Sequence, residues 1–143
     1  MEAVKRFCRI LLIFIMPLML NACDYVGFGI EFGTGTNGYR EATAYLCSYL
    51  WTDEWVDDRG TRYYQELSFY PDGKGEDYIV SEDRFGFRQE TRYAFVWDWW
   101  DTFCTSIRLT YGKGDYSYME NIRLERNRLE CLYDGSPAYF FGL

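Results

Sequence analysis

Leu67-Ser68-Phe69-Tyr70-Pro71-Asp72-Gly73-Lys74-Gly75 holds the signal that decides the fold. Leu67 and Phe69 fall on one parity, while Glu66 and Ser68 fall on the other. That period of two is the mark of a half-buried strand. Pro71 presets one backbone dihedral and Gly73 accepts a positive φ, so the chain reverses here. Glu76–Ser81 then resumes as a strand. Strand, tight turn and strand together predict an antiparallel hairpin.

Outward from this hairpin the pattern repeats. Before it, Thr61–Tyr70 is the whole of the second strand, and Leu50–Asp57 is a first strand closed by Asp58-Arg59-Gly60. After Glu76–Ser81 comes the longest strand, Phe87–Trp100. There Tyr93, Phe95, Trp97 and Trp99 alternate with Arg92, Ala94, Val96 and Asp98. Phe103–Tyr111 is a fifth strand, turned by Gly112-Lys113-Gly114-Asp115. Tyr116–Leu124, Arg128–Tyr133 and Ala138–Gly142 complete the set. In Arg40–Tyr49 the period changes: Ala42, Tyr45, Leu46 and Tyr49 lie at i, i+3, i+4 and i+7, one face of a short helix. Asn37 and Gly38 precede it as an opening. Eight short strands joined by tight turns predict an all-β antiparallel meander, closed into an up-and-down barrel or left as a half-barrel.

Composition narrows the function classes. The chain has 143 residues, enough for one ordinary domain, and no histidine. Missing histidine removes the commonest general base and the commonest metal ligand together. Aromatic residues make up 21% of the chain, which suits pleated, half-buried surfaces and opposes disorder. The formal charge is −7. Acidic surfaces repel phosphate backbones, so nucleic acid is not an expected partner.

The N-terminal region reads differently. Lys5, Arg6 and Arg9 precede the apolar run Ile10–Leu20, which is too short to span a bilayer comfortably. Leu20-Asn21-Ala22-Cys23 follows. This arrangement resembles the signal peptide and lipobox of bacterial lipoproteins. The resemblance implies a signal peptide over 1–22, cleavage before Cys23, and diacylation of the Cys23 thiol. Removing 1–22, with three cations against Glu2, takes the formal charge from −7 to −9. Residues 23–38 contain five glycines and read as a flexible tether leading to a domain over 39–143. If the lipobox is used, Cys23→Ser abolishes acylation and leaves unprocessed precursor. Mass spectrometry of the mature N-terminus checks this, and an unmodified Cys23 would sink it.

Taken together, lipobox, Gly-rich tether, short helix, Trp51 on a first strand, the Leu67–Gly75 hairpin and Tyr93…Trp97-Asp98-Trp99 resemble the small lipocalin-like lipoproteins of bacteria. That resemblance implies a β-barrel with an apolar pocket and a chain held in the cell envelope by its lipid, at the outer membrane ahead of the inner. Aromatic side chains on the inner parity, Trp51, Tyr93, Phe95, Trp97 and Trp99, are the candidate ligand contacts, through stacking on ring faces. A filled core is the competing reading, because an eight-stranded barrel is just wide enough for either.

Other chemistry has weaker support. Gly33-Thr34-Gly35 has no following lysine and no βαβ setting, so it is not a phosphate loop. Asp53, Glu54, Asp57 and Asp58 could offer oxygens to calcium, but their spacing is not that of a calcium-binding loop; a solvated acidic turn is the default. Asp72 and Asp77 are read the same way. Cys47, Cys104 and Cys131 lack metal-site spacing and read as small buried hydrophobes. If Phe103 and Leu129 face inward, Cys104 points out and Cys131 points in, which opposes a bridge between them. The expectation is a binding module for a small apolar or glycan-like ligand, not an enzyme and without cofactor or metal. The alternative is a protein-interaction module, such as an inhibitor or an accessory subunit of a surface assembly.

Overall fold

The computed structural model describes residues 36–143; residues 1–22, Cys23 and most of the tether lie outside the described residues. One helix, α1 (Thr36–Leu46), precedes eight strands. These are β1 (Leu50–Val56), β2 (Arg62–Phe69), β3 (Lys74–Glu82), β4 (Arg88–Trp99), β5 (Ile107–Gly112), β6 (Asp115–Glu125), β7 (Arg128–Tyr133) and β8 (Ser136–Gly142). Each strand pairs antiparallel with its neighbours in sequence, and β8 closes on β1. The expected all-β, eight-stranded barrel with one short helix is therefore present, and it is compatible with a lipocalin-like arrangement.

The turn that decided the reading forms as expected. Gly73 sits at φ 81° and donates its N–H to the Tyr70 carbonyl at 3.0 Å. β3 starts two residues earlier than predicted, because Lys74 and Gly75 pair with Val96 and Phe95. Gly75 lies directly beneath the Phe95 ring, where a side chain would collide.

Two local expectations need correction. The helix begins four residues before Arg40 and ends at Leu46, not Tyr49. Its last turn is closed by Cys47 and Ser48, whose N–H groups donate to Thr43 and Tyr45, and the Trp51 indole N–H takes the Leu46 carbonyl. The fifth strand starts at Ile107, not Phe103. One Asp101 carboxylate oxygen accepts from the N–H groups of Phe103 and Thr105 at 2.7 and 3.1 Å, winding 101–105 into a turn. Cys104 sits in it at φ 57°. Phe103 is consequently 73% exposed and Cys104 is buried, the reverse of the predicted orientation. Cys131 is buried too, and all three cysteines of the domain carry free thiols.

Closure of the barrel is uneven. β1 and β8 pair at Trp51↔Gly142 and Thr52↔Phe141, reinforced by mutual backbone bonds between Leu50 and Leu143. β4 and β5 pair over Val96–Trp99 against Ile107–Thr110. Both seams lie at the end where α1 docks. There Ala42 and Leu46 of α1 are fully buried, and the Trp99 indole donates to the Thr43 hydroxyl at 3.0 Å. Toward the other end, Asp53–Val56 of β1 and Arg88–Phe95 of β4 run on beyond these seams. The barrel thus consists of two four-stranded halves, β1–β4 and β5–β8, joined at a capped end and parting toward an open one.

Candidate functional site

Parity assigns the interior. Trp51, Leu67, Phe95, Trp97, Leu109, Met119, Leu129 and Phe140 are all buried in one cluster. In β1 the positions after Trp51 on that parity are Asp53 and Trp55. In β2 those before Leu67 are Gln65 and Tyr63, and in β3 and β4 they include Asp77 and Tyr93. The interior therefore changes character along its axis. It is apolar under α1 and becomes polar and aromatic toward the open end.

The change occurs across one hydrogen-bonded layer. Gln65 donates its side-chain N–H to one Asp77 oxygen at 2.9 Å, and the Tyr111 hydroxyl meets the other at 3.0 Å. Tyr111 and Tyr133 share a hydrogen bond at 2.9 Å. Four side chains from β2, β3, β5 and β7 thereby cross the interior. Asp77 is only 3% exposed. Burial raises its pKa above the ordinary carboxylate range, although the bonds from Gln65 and Tyr111 oppose that shift. Burial likewise raises Tyr111, and pushes Tyr133 up to about 12. Buried polar groups need partners, and this network supplies them, from β2 to its neighbour β3 and then across the non-neighbouring strands β3, β5 and β7.

Above the layer stand half-exposed rings. Trp55 and Tyr63 stack with centroids 5.1 Å apart and planes 7° apart. Tyr93, 49% exposed, sets its ring edge-on to Tyr111 at 6.3 Å. Asp53 lies across from Gln65, two residues before Trp55 on β1, its pKa raised chiefly by burial. Its inward orientation is felt by Cys131, whose thiol is pushed up to about 12, first by burial and then by the Asp53 charge.

The five aromatic residues singled out in the sequence separate into two groups. Trp51, Phe95, Trp97 and Trp99 pack in the buried core, with Phe69 edge-on to both Phe95 and Trp97. Tyr93 alone of the five reaches the open end. Cys23 lies outside the described residues. The other parts of the open end, Trp55, Tyr63 and the Gln65–Asp77–Tyr111–Tyr133 layer, were not singled out as ligand contacts. A signal for them was available: Asp77 shares parity with Gly75 and Ile79, so a carboxylate falls at an interior position of β3.

The acidic residues near the turns have structural employment. Asp57 accepts the N–H groups of Arg59 and Thr61 at 2.9 Å each, and these backbone bonds hold its pKa down. Asp83 accepts those of Phe85 and Phe87 at 2.8 and 2.9 Å. Among the described residues no three Cys, Asp or Glu side chains come together as a metal site. Two open clefts of about 610 Å³ each lie outside the barrel, one beside α1 at Tyr39, Thr43 and Pro71, the other over β6–β8 near Asn121 and Tyr139.

No protein-family model, curated protein or solved structure matches this chain.

Proposed function

We propose that this domain is a non-catalytic binding module that takes a small, glycan-like ligand at its open end. The observation that carries the reading is the stacked Trp55–Tyr63 pair standing over the polar Asp77 layer. A sugar ring has apolar C–H faces and a hydroxyl edge. Ring faces beside fixed hydrogen-bonding groups suit both parts of it. The absence of histidine from the chain supports binding in place of catalysis.

The lipid anchor at Cys23 belongs to the same proposal. The described chain enters the domain at Thr36, and α1 covers the capped end. The helix therefore does not obstruct the open end. This suits capture of a ligand at an envelope surface.

Trp55→Ala and Tyr93→Ala should each weaken binding of a retained oligosaccharide about tenfold, near the upper range for one ring contact. Both residues are half-exposed, so the unfolding midpoint should move little. Isothermal titration calorimetry against a panel of neutral, basic and acidic oligosaccharides checks the reading. If no sugar binds, or both variants bind as the parent does, the reading fails. The protein-interaction alternative keeps one supporting observation: Phe85 and Phe87 at the tip of the β3–β4 hairpin are 81% and 70% exposed.

A further inference from the structure

We infer that the ligand of this open end is cationic, an amine-bearing sugar in preference to a neutral or acidic one. The inference rests on the binding reading above and adds the charge of the ligand to it.

The two carboxylates of the interior stand on opposite sides of the β2 strand, Asp53 on β1 and Asp77 on β3. Each shares parity with the buried core residues of its barrel wall. No arginine or lysine occupies an inward position of β1–β4 beyond Leu67: the basic side chains Arg62, Arg88 and Arg92 lie on the other parity. Arg88 and Arg92 are engaged on the outer face by Glu90 and Glu76. Asp77 accepts only from neutral groups, the Gln65 amide and the Tyr111 hydroxyl. Along β1–β4, then, no basic side chain of the described residues shares the inner parity of these two carboxylates.

The rings point the same way. Trp55 follows Asp53 on the same face of β1 and stacks on Tyr63, and an aromatic face attracts an ammonium group electrostatically. A bare metal ion would need several converging oxygen ligands, and no such group of three occurs among the described residues. A sugar ring bearing an ammonium group uses both features: its C–H face stacks on Trp55 or Tyr93 while the charge lies toward Asp53. An acidic sugar would meet the carboxylates with like charge.

The test uses the full chain and three sugar tetramers of similar size: glucosamine, N-acetylglucosamine and galacturonate. Calorimetry should show the glucosamine tetramer binding about tenfold tighter than its acetylated counterpart, with galacturonate weakest. Raising salt should weaken the glucosamine complex and leave the acetylated one nearly unchanged. Asp53→Asn should close most of the gap between these two. Equal affinities for all three, or tightest binding of galacturonate, would overturn the charge inference while the site reading stands. If none of the three binds, both fall. Should Asp53→Asn fail to fold, the salt dependence of the unsubstituted protein decides: a salt-insensitive glucosamine complex overturns the inference.

Discussion

Trp97→Ala is expected to cost the domain about 3–5 kcal/mol, the usual range for deleting a large buried ring. Trp97 is buried in the core. Its ring meets Phe69 at 5.5 Å and Trp99 at 6.0 Å, both close to perpendicular. Its indole N–H is shared between the Tyr70 and Lys74 carbonyls at 3.2 and 3.1 Å, tying β4 to the β2–β3 turn. Alanine removes the ring, leaves a cavity and takes away the donor for both carbonyls. Trp97→Phe keeps a six-membered ring but loses the donor and the rest of the pyrrole ring, so losing the donor should cost about 1–2 kcal/mol, plus whatever the partly emptied site requires. The neighbouring Val96 is 57% exposed, and Val96→Thr should stay within about 1 kcal/mol. Urea unfolding of residues 36–143 compares the three. Equal costs at 96 and 97 would mean that β4 does not present the face described.

Gly75→Ala should be nearly as damaging, at about 3 kcal/mol, although it adds a single methyl group. A Cβ on Gly75 would stand 2.5 Å from the Ser68 carbonyl oxygen and closer still to the Phe95 ring. The ring can rotate away only into Phe69 or Tyr111, which it touches edge-on at 5.5 and 5.6 Å. The carbonyl belongs to the β2 backbone and yields only if the strand moves. Gly112→Ala is the control, since nothing lies within 4 Å of a Cβ there. Adding Phe95→Leu to Gly75→Ala should recover part of the loss and no more, because the carbonyl conflict remains. If Gly75→Ala matches Gly112→Ala in thermal unfolding, the glycine is not holding the ring in place as described.

The comparison of these two sites shows what kind of information each needs. Trp97's burial follows from alternation: a period of two places Phe95, Trp97 and Trp99 on one face, and their neighbours Ala94, Val96 and Asp98 include a charge that belongs outside. Tyr93 follows the same alternation yet is half-exposed, because parity assigns a face and not a depth along the barrel axis. Depth depends on where the neighbouring strands stop. β5 pairs with β4 only from Val96 onward, so Tyr93 stands beyond that seam. Gly75's role was not visible at all: a glycine beside a turn reads as part of the turn until Phe95 is known to lie across from it.

Phe103 and Cys104 failed for a related reason. The expected strand carries alternation into Phe103–Thr105, where the Asp101 side chain accepts two backbone N–H groups and breaks the period. Asp101 is three residues before Cys104, so the capping residue was visible. Its competition with the strand was decided by local hydrogen bonding that hydrophobic patterning does not weigh.

What the sequence by itself determined is the class and order of the described elements: one helix, eight strands, a tight turn at Pro71–Gly73 and the shared face of the apolar residues in β2, β4 and β5; Asp77, read as part of a solvated acidic turn, is instead buried on the inner face of β3. These depend on dihedral preferences and side-chain alternation, which act between residues a few positions apart. Only the tertiary structure decided which inward positions are core and which are mouth. The Asp77–Tyr111 and Tyr111–Tyr133 bonds join residues 34 and 22 positions apart on strands that are not neighbours, and the first forms only when the two halves of the barrel face each other. Hydrogen bonds across a barrel interior depend on closure and on strand offset, and neither quantity is written in any local stretch of the chain.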